Sequence, residues 1–296
     1  PQAGGNPFTI SPTTNLTYQV YPIYVNSLAS TNPNSIQGNV IKNYLLDKGY
    51  STIPFMGISV WEGLANIGTI TGNTIGSPTG SGSIIIKNYY PSSGVSFQGI
   101  YLNANYPVNV SNNNVGSITT DGLNINGIYS GTNYAPINAS NNLIGSIDDA
   151  TTNSLIVLNP TNTFGKSMCG ICLYGSGVKT INNNVISKLI NNGTIGTTNP
   201  ILGIVGYNGT SIITNNTIRD LTNPSNTSTY SGYSLSNGSY TGTESAPAIT
   251  GIYFYPSSSS TINTISNNKL FNFYRPTVQS TLNVINGIAL YTSINN

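Results

Sequence analysis

The seven residues NNNVGSI at 112–118 return almost unchanged as NNLIGSI at 141–147. Their template is Gly or Asn, then Asn, any residue, an aliphatic, two mostly polar residues and usually another apolar one. It recurs as GNVIKNY (38–44), GNTIGSP (72–78), NNVISKL (183–189), NNTIRDL (215–221) and NNKLFNF (267–273). The second-position residues are Asn39, Asn73, Asn113, Asn142, Asn184, Asn216 and Asn268, separated by 34, 40, 29, 42, 32 and 52 residues. A Gly-Ile pair alternates with the motif, at Gly57, Gly99, Gly127, Gly170, Gly203, Gly251 and Gly287. From each Gly to the next motif Asn the distance is 13 to 17 residues; from each Asn to the next Gly it is 14 to 35. One arm is constant and the other absorbs insertions, which is the pattern of a solenoid whose loops emerge on one side.

The blocks are rich in Ile, Val, Thr and Tyr and bounded by Gly, Asn and Ser, which predicts short strands between turns. No amphipathic helical stretch of 10–12 residues is evident; the best candidate, VIKNYLLDKG (40–49), overlaps a repeat copy. The shortest period, 28 residues from Gly99 to Gly127, holds three strands of about five residues and three turns. Stacking such coils at about 4.8 Å places the motif aliphatics (Ile41, Ile75, Val115, Ile144, Ile186, Ile218, Leu270) in one interior ladder. It also places the motif Asn side chains in an amide column of the kind seen in cross-β structures. The motif Asn is expected to take a left-handed turn conformation, and Gly before Ile to permit a sharp turn.

A Gly-Ile strand, a short polar interval and then I-x-x-N-N-x-I, as in SIITNNTIRDL (211–221), resembles the repeat of pectate-lyase-like, right-handed parallel β-helices. The resemblance implies an all-β, right-handed parallel β-helix of about seven coils over residues 35–296. Residues 1–34 are then an N-terminal strand or cap-like segment, with YQVYPIYV (18–25) as its strand. Pro1 follows no Met, and the chain stops at GIALYTSINN (287–296), where another motif is due. The expectation is a segment of a longer protein, or an end that stacks on a partner.

Charge narrows function more than it identifies it. Only 5% of residues are charged, nine Lys/Arg against seven Asp/Glu, and there is no histidine. No basic stripe exists to neutralise phosphates, which argues against nucleic acid. No run of about 18 apolar residues exists to span a membrane, and no signal peptide is visible.

The resemblance raises polysaccharide cleavage, which needs converging carboxylates, with or without Ca²⁺. The acids are Asp47, Glu62, Asp121, Asp148, Asp149, Asp220 and Glu244; Asp148 and Asp149 are adjacent, in an elastic arm. Adjacent strand residues point apart, and two carboxylates are few for a calcium site. No catalytic residue, metal ligand or cofactor is therefore assigned, and the chain is not expected to be an enzyme. The alternative, a lyase or hydrolase, requires Asp121, Asp148 or Asp149 to converge with Lys or Arg. Arg219 and Asp220 lie within one motif with Lys188 one coil earlier, read as a surface Lys188–Asp220 pair or, more sharply, as a catalytic Arg.

Cys169 and Cys172, in CGIC, lack the further ligands a zinc site needs. On a regular strand residues three apart face opposite sides, roughly 10 Å apart, too far for a disulfide. Both are read as structural cysteines. Tyr230, Tyr233 and Tyr240, in the longest elastic arm among Ser, Gly and Thr, are candidate glycan contacts against the plainer reading of loop tyrosines packed on the coil. Asn109, Asn208, Asn226 and Asn237 begin N-x-S/T triplets, which are frequent by chance in such a composition.

The functional expectation is a non-catalytic extracellular segment of a large secreted surface protein, adhesive or scaffolding. Its partners are cell-surface glycans or neighbouring β-helix segments. The Asn/Thr/Ile-rich coils resemble in style repeat regions of Bacteroidota surface proteins, which implies export by the type IX route. A filament-forming subunit is the third possibility.

Overall fold

The computed structural model describes residues 7–11, 18–28, 31–47, 55–78, 82–87, 97–121, 124–131, 135–147, 155–157, 167–192, 200–223, 249–256, 262–275 and 285–290. Within them the chain is an all-β parallel β-helix: every named strand pairs in parallel with its equivalents one winding away. Three sheets run along the axis. The Gly-Ile sheet has eight strands: Ile23–Asn26, Phe55–Glu62, Phe97–Leu102, Asn124–Ser130, Ser167–Leu173, Ile201–Tyr207, Ile249–Tyr255 and Ile285–Leu290. A seven-stranded sheet follows it in each winding, from Asn34–Ile36 to Thr264–Ser266. The third sheet, of thirteen strands, begins each winding just after the motif Asn, as in Leu143–Ile144 and Val185–Ser187.

The first two strands already belong to these sheets. Phe8–Ile10 pairs with Tyr44–Asp47, and Ile23–Asn26 pairs with Phe55–Glu62. The elastic arm also has a fixed place. The spacer between the thirteen-stranded sheet and the Gly-Ile sheet runs from residues 121–123 in one winding to 223–248 in another. A second variable spacer lies between the successive strands of the thirteen-stranded sheet, from Ser117 alone in one winding to residues 145–154 in another. Insertions therefore enter at the two ends of that sheet's second strand and leave the register of the other strands intact.

The motif aliphatics form one internal column, Ile41–Ile75–Val115–Ile144–Ile186–Ile218–Leu270, each the direct register partner of the next. Five of the seven, Ile75 to Ile218, are fully buried. At about 1.5–3 kcal/mol for each buried aliphatic side chain, this column and its counterpart on the Gly-Ile sheet (Ile58, Ile100, Ile128, Ile171, Ile204, Ile252) form the centre of the core.

Two backbone details differ from the sequence reading. The left-handed residue is the one before the motif Asn: Gly38, Asn112, Asn141, Asn183, Asn215 and Asn267 all have positive φ. This explains why the template begins with Gly or Asn, the residues that tolerate this conformation. The motif Asn itself is left to build the amide column. A second left-handed corner follows at Asn43, Ser117, Lys188, Asp220 and Asn272.

The glycine of Gly-Ile, in turn, sits inside a strand, and its reason is space across the core. A Cβ on Gly127 would lie 2.5 Å from Gly170 O and 2.6 Å from Ile144 Cγ2. On Gly170 it would lie 2.6 Å from both Gly203 O and Ile186 Cγ2. The helix is so thin here that the motif aliphatic of each winding presses directly on the facing glycine.

Candidate functional site

The motif asparagines hold the windings together by a continuous hydrogen-bond chain. Asn142 shows the unit. Its Oδ1 accepts from Asn113 N and Nδ2, both at 3.0 Å. Its Nδ2 donates to Val110 O at 2.9 Å and to Asn184 Oδ1 at 3.0 Å. The Nδ2-to-Oδ1 step repeats from Asn39 to Asn73, Asn73 to Asn113, Asn184 to Asn216 and Asn216 to Asn268, at 2.8–3.0 Å. Asn73, Asn113, Asn142, Asn184 and Asn216 are buried. This column is internal and fully engaged, so it is architecture and not a binding surface.

The outer face of the Gly-Ile sheet is different. Eight rings form an unbroken track along it: Tyr21, Tyr24, Trp61, Tyr101, Tyr129, Tyr174, Tyr207 and Tyr255. Successive centroids are 4.9 to 6.5 Å apart. Tyr101 and Tyr129 stack with planes 8° apart, and Tyr207 and Tyr255 with planes 11° apart. Each winding contributes its ring from either of two positions. Tyr101 and Tyr129 lie two residues after the glycine, where the position two further on holds Asn103 or Gly131. Trp61, Tyr174 and Tyr207 lie four residues after it, and the earlier position then holds Ser59, Cys172 or Val205. A large side chain at one position goes with a smaller one at the other; the winding with Tyr253 and Tyr255 carries both.

Burial pushes the phenols of Tyr101 and Tyr207 upward, that of Tyr129 up to about 12, and that of the buried Tyr174 well above the ordinary phenol value, with neighbouring tyrosines adding to the effect. These hydroxyls are neutral donors and acceptors at physiological pH. In the two stacked pairs ring faces are taken up by neighbouring rings. Edges and hydroxyls are what such a track offers a ligand, in place of open faces. Trp61 Nε1, Gln98 Oε1 and Thr250 Oγ1, from the same sheet, are buried without a hydrogen-bond partner. They are hydrogen-bonding capacity that the fold does not use.

Cys169 and Cys172 lie on this face and are joined in a disulfide, with Cα atoms 6.2 Å apart. This corrects the expectation of separate cysteines some 10 Å apart. In each Gly-Ile strand of the sheet the register passes over the glycine: Asn126 pairs with Cys169 and the next pair is Ile128–Ile171. Gly170 and Ile171 both face the interior, so the in–out alternation slips by one residue. The residues on either side of Gly-Ile consequently emerge on the same face. Cys169 and Cys172 pack there with Tyr174, Leu202, Val205 and Tyr253.

The charged candidates are dispersed. Asp220 pairs with Arg219 at 2.5 Å and accepts from Asn272 Nδ2 at 3.1 Å. Arg219 Nη2 also donates to Ile147 O at 3.2 Å. Glu62 accepts from Asn105 Nδ2 at 3.0 Å, and Asp47 from Ser11 Oγ at 3.5 Å. Among the described residues no three His, Cys, Asp or Glu side chains form a group able to hold a metal ion. Asp148, Asp149 and Glu244 lie outside the described residues, as do Tyr230, Tyr233, Tyr240, Asn226 and Asn237.

The sequence reading missed Lys179. It occupies an inward column between Ile137 and Ser211 and is 1% exposed. Its ammonium donates to Gly175 O, to Gly177 O at 3.0 Å and to Asn208 O at 2.5 Å. Burial nevertheless pulls its pKa down to about 8. The signal available in the sequence was its place in the Ile137 column, three residues before the Asn182-Asn183-Asn184 turn.

Comparison with family models, with curated proteins and with solved structures returned no match to this chain.

Proposed function

We propose that this chain is a non-catalytic β-helical segment of a secreted surface protein, serving adhesion or scaffolding. The observation that carries the reading is the aromatic track. It is a long, regular, nearly uncharged contact strip fixed to a rigid sheet, and its hydroxyls suit hydrogen bonding to neutral polar partners such as glycans. The disulfide favours an oxidising, extracellular setting. The finer resemblance, to type IX-exported surface proteins of Bacteroidota, belongs to the same proposal and rests on the style of the coils. No helix of the described residues is long and apolar enough to cross a membrane.

The test is adhesion of protein-coated beads to immobilised glycans and to intact cells. Tyr24→Ala and Tyr101→Ala serve as variants, Tyr24 being the more exposed ring. Binding that weakens in both variants while the fold persists is the expected result. Shortening of an acidic polysaccharide by the purified chain, read by size exclusion, would replace the scaffold reading with the enzymatic one.

A further inference from the structure

Two polar side chains stand in otherwise aliphatic stretches of the inward columns. Ser130 lies between Leu102 and Leu173 and is fully buried. Lys179 lies between Ile137 and Ser211. A polar group in such a place must find a partner, because leaving it unbonded away from water is costly. Both find theirs on one short segment, residues 174–177. Ser130 Oγ accepts from Tyr174 N at 2.9 Å and donates to Tyr174 O at 3.1 Å. Lys179 Nζ donates to Gly175 O and Gly177 O, and in the next winding to Asn208 O, the carbonyl directly after Tyr207. The two corners lie against each other: a Cβ on Gly209 would be 2.4 Å from Ser176 O.

The place of this segment in the aromatic track explains why it needs holding. Of the six rings from Trp61 to Tyr255, Tyr174 alone lies beyond the end of its strand, which closes at Leu173. It is also where the rings pass from the earlier position after the glycine, used by Tyr101 and Tyr129, to the later one, used by Tyr207 and Tyr255. Those two pairs stack nearly parallel. Tyr174 stands between them, tilted 47° to both Tyr129 and Tyr207, with centroids 5.5 Å from each. It is the one buried ring of the track, at 8% exposure. The joint between the stacked pairs is therefore set from inside the solenoid, by groups that no ligand reaches.

We propose that Ser130 and Lys179 are positioning residues of the aromatic track, fixing Tyr174 as the joint that makes two stacked pairs one continuous strip. This role rests on the reading of the track as the contact strip for neutral polar partners.

The experiment labels the tyrosine hydroxyls of the full chain with N-acetylimidazole and maps the sites by peptide mass spectrometry. Beside it, coated beads are tested on immobilised cellulose, on immobilised mannan and on intact cells. Ser130→Ala and Lys179→Met each remove one hold and are compared in chains that keep the far-UV circular dichroism of the original. The expected result is Tyr174 labelling that rises roughly tenfold, as the loss of one or two hydrogen bonds implies. Labelling of Tyr101 and Tyr207 should stay as before, and adhesion should weaken severalfold. Ser130→Thr keeps the hydroxyl, in a column that elsewhere accepts Leu, and should retain the protection. Val108→Ala, a truncation two windings away in the Lys179 column, controls for general loosening. Tyr174 that stays protected in both polar-to-apolar variants, or opens equally in Val108→Ala or Ser130→Thr, overturns the proposal. Tyr174 that opens while adhesion is unchanged upholds the positioning role and overturns instead the reading of the track as the contact strip.

Discussion

Asn142→Ala tests the amide column at its middle. The substitution removes four side-chain hydrogen bonds: two accepted from Asn113 and one donated to each of Val110 O and Asn184 Oδ1. At about 1 kcal/mol net for each bond, the loss is about 4 kcal/mol, and the buried Asn113 N–H left without its acceptor adds to it. That is a large part of the roughly 5–15 kcal/mol that holds most domains folded. Asn39, at the start of the column, donates to Asn73 Oδ1 and Gln37 O and is half-buried. Asn39→Ala should therefore cost about half as much. Urea unfolding followed by circular dichroism and tyrosine fluorescence measures both, and coincident curves are needed because stacked repeats can unfold in parts.

Asn142→Asp sharpens the test. The new carboxylate keeps the acceptor but turns a second oxygen toward Asn184 Oδ1 and Val110 O. Burial and this repulsion raise its pKa above that of an unfolded Asp, so the defect is full at neutral pH and shrinks as acid restores an O–H donor. If Asn142→Ala costs no more than Asn39→Ala, or the Asp variant shows no recovery at low pH, the column is not what binds the windings.

Three other perturbations address separate parts of the fold. Gly170→Ala forces a Cβ to 2.6 Å from Gly203 O and Ile186 Cγ2 and should cost at least about 1–3 kcal/mol; adding Ile186→Ala should recover part of it, and full additivity in the double-mutant cycle would contradict the steric account. Lys179 is protonated in the unfolded chain up to about pH 10.5 but in the folded chain only to about 8, so stability should rise with pH between these values, by up to about 3 kcal/mol. The Lys179→Met protein should lack that rise, while above about pH 10 both should weaken as unfolded tyrosines ionise before the folded ones. Reduction of Cys169–Cys172, which closes a very short loop, should lower stability by about 2 kcal/mol; because both cysteines are buried, thiol should reduce the bond slowly in buffer and much faster in urea.

How much of this was legible depends on whether a residue's role is set within its own winding or across the coil. The amide and aliphatic columns could be read directly, because each winding repeats the same chemistry at a fixed offset and stacking forces like onto like. The Gly-Ile column could be located but not explained. Nothing in the chain shows that Ile144 presses on Gly127 until the two sheets face each other at their actual separation. The disulfide was misjudged for the same reason. Strict alternation places Cys169 and Cys172 on opposite faces, and it fails because Gly170, with no Cβ to direct, lets two consecutive residues face inward. A glycine inside every Gly-Ile strand was the available warning of such a slip.

The aromatic track was hidden by its own construction. Its rings come from two different offsets after the glycine, so no single sequence position reveals them. The exchange is itself informative: Ser59 beside Trp61, Gly131 after Tyr129 and Cys172 before Tyr174 leave one ring to each of these windings, and the winding of Tyr253 and Tyr255 supplies its track ring from the later position. A surface that keeps a ring in line while changing which position supplies it is constrained by continuity along the axis. That is why the track, and not any single tyrosine, is the unit on which a functional test should act.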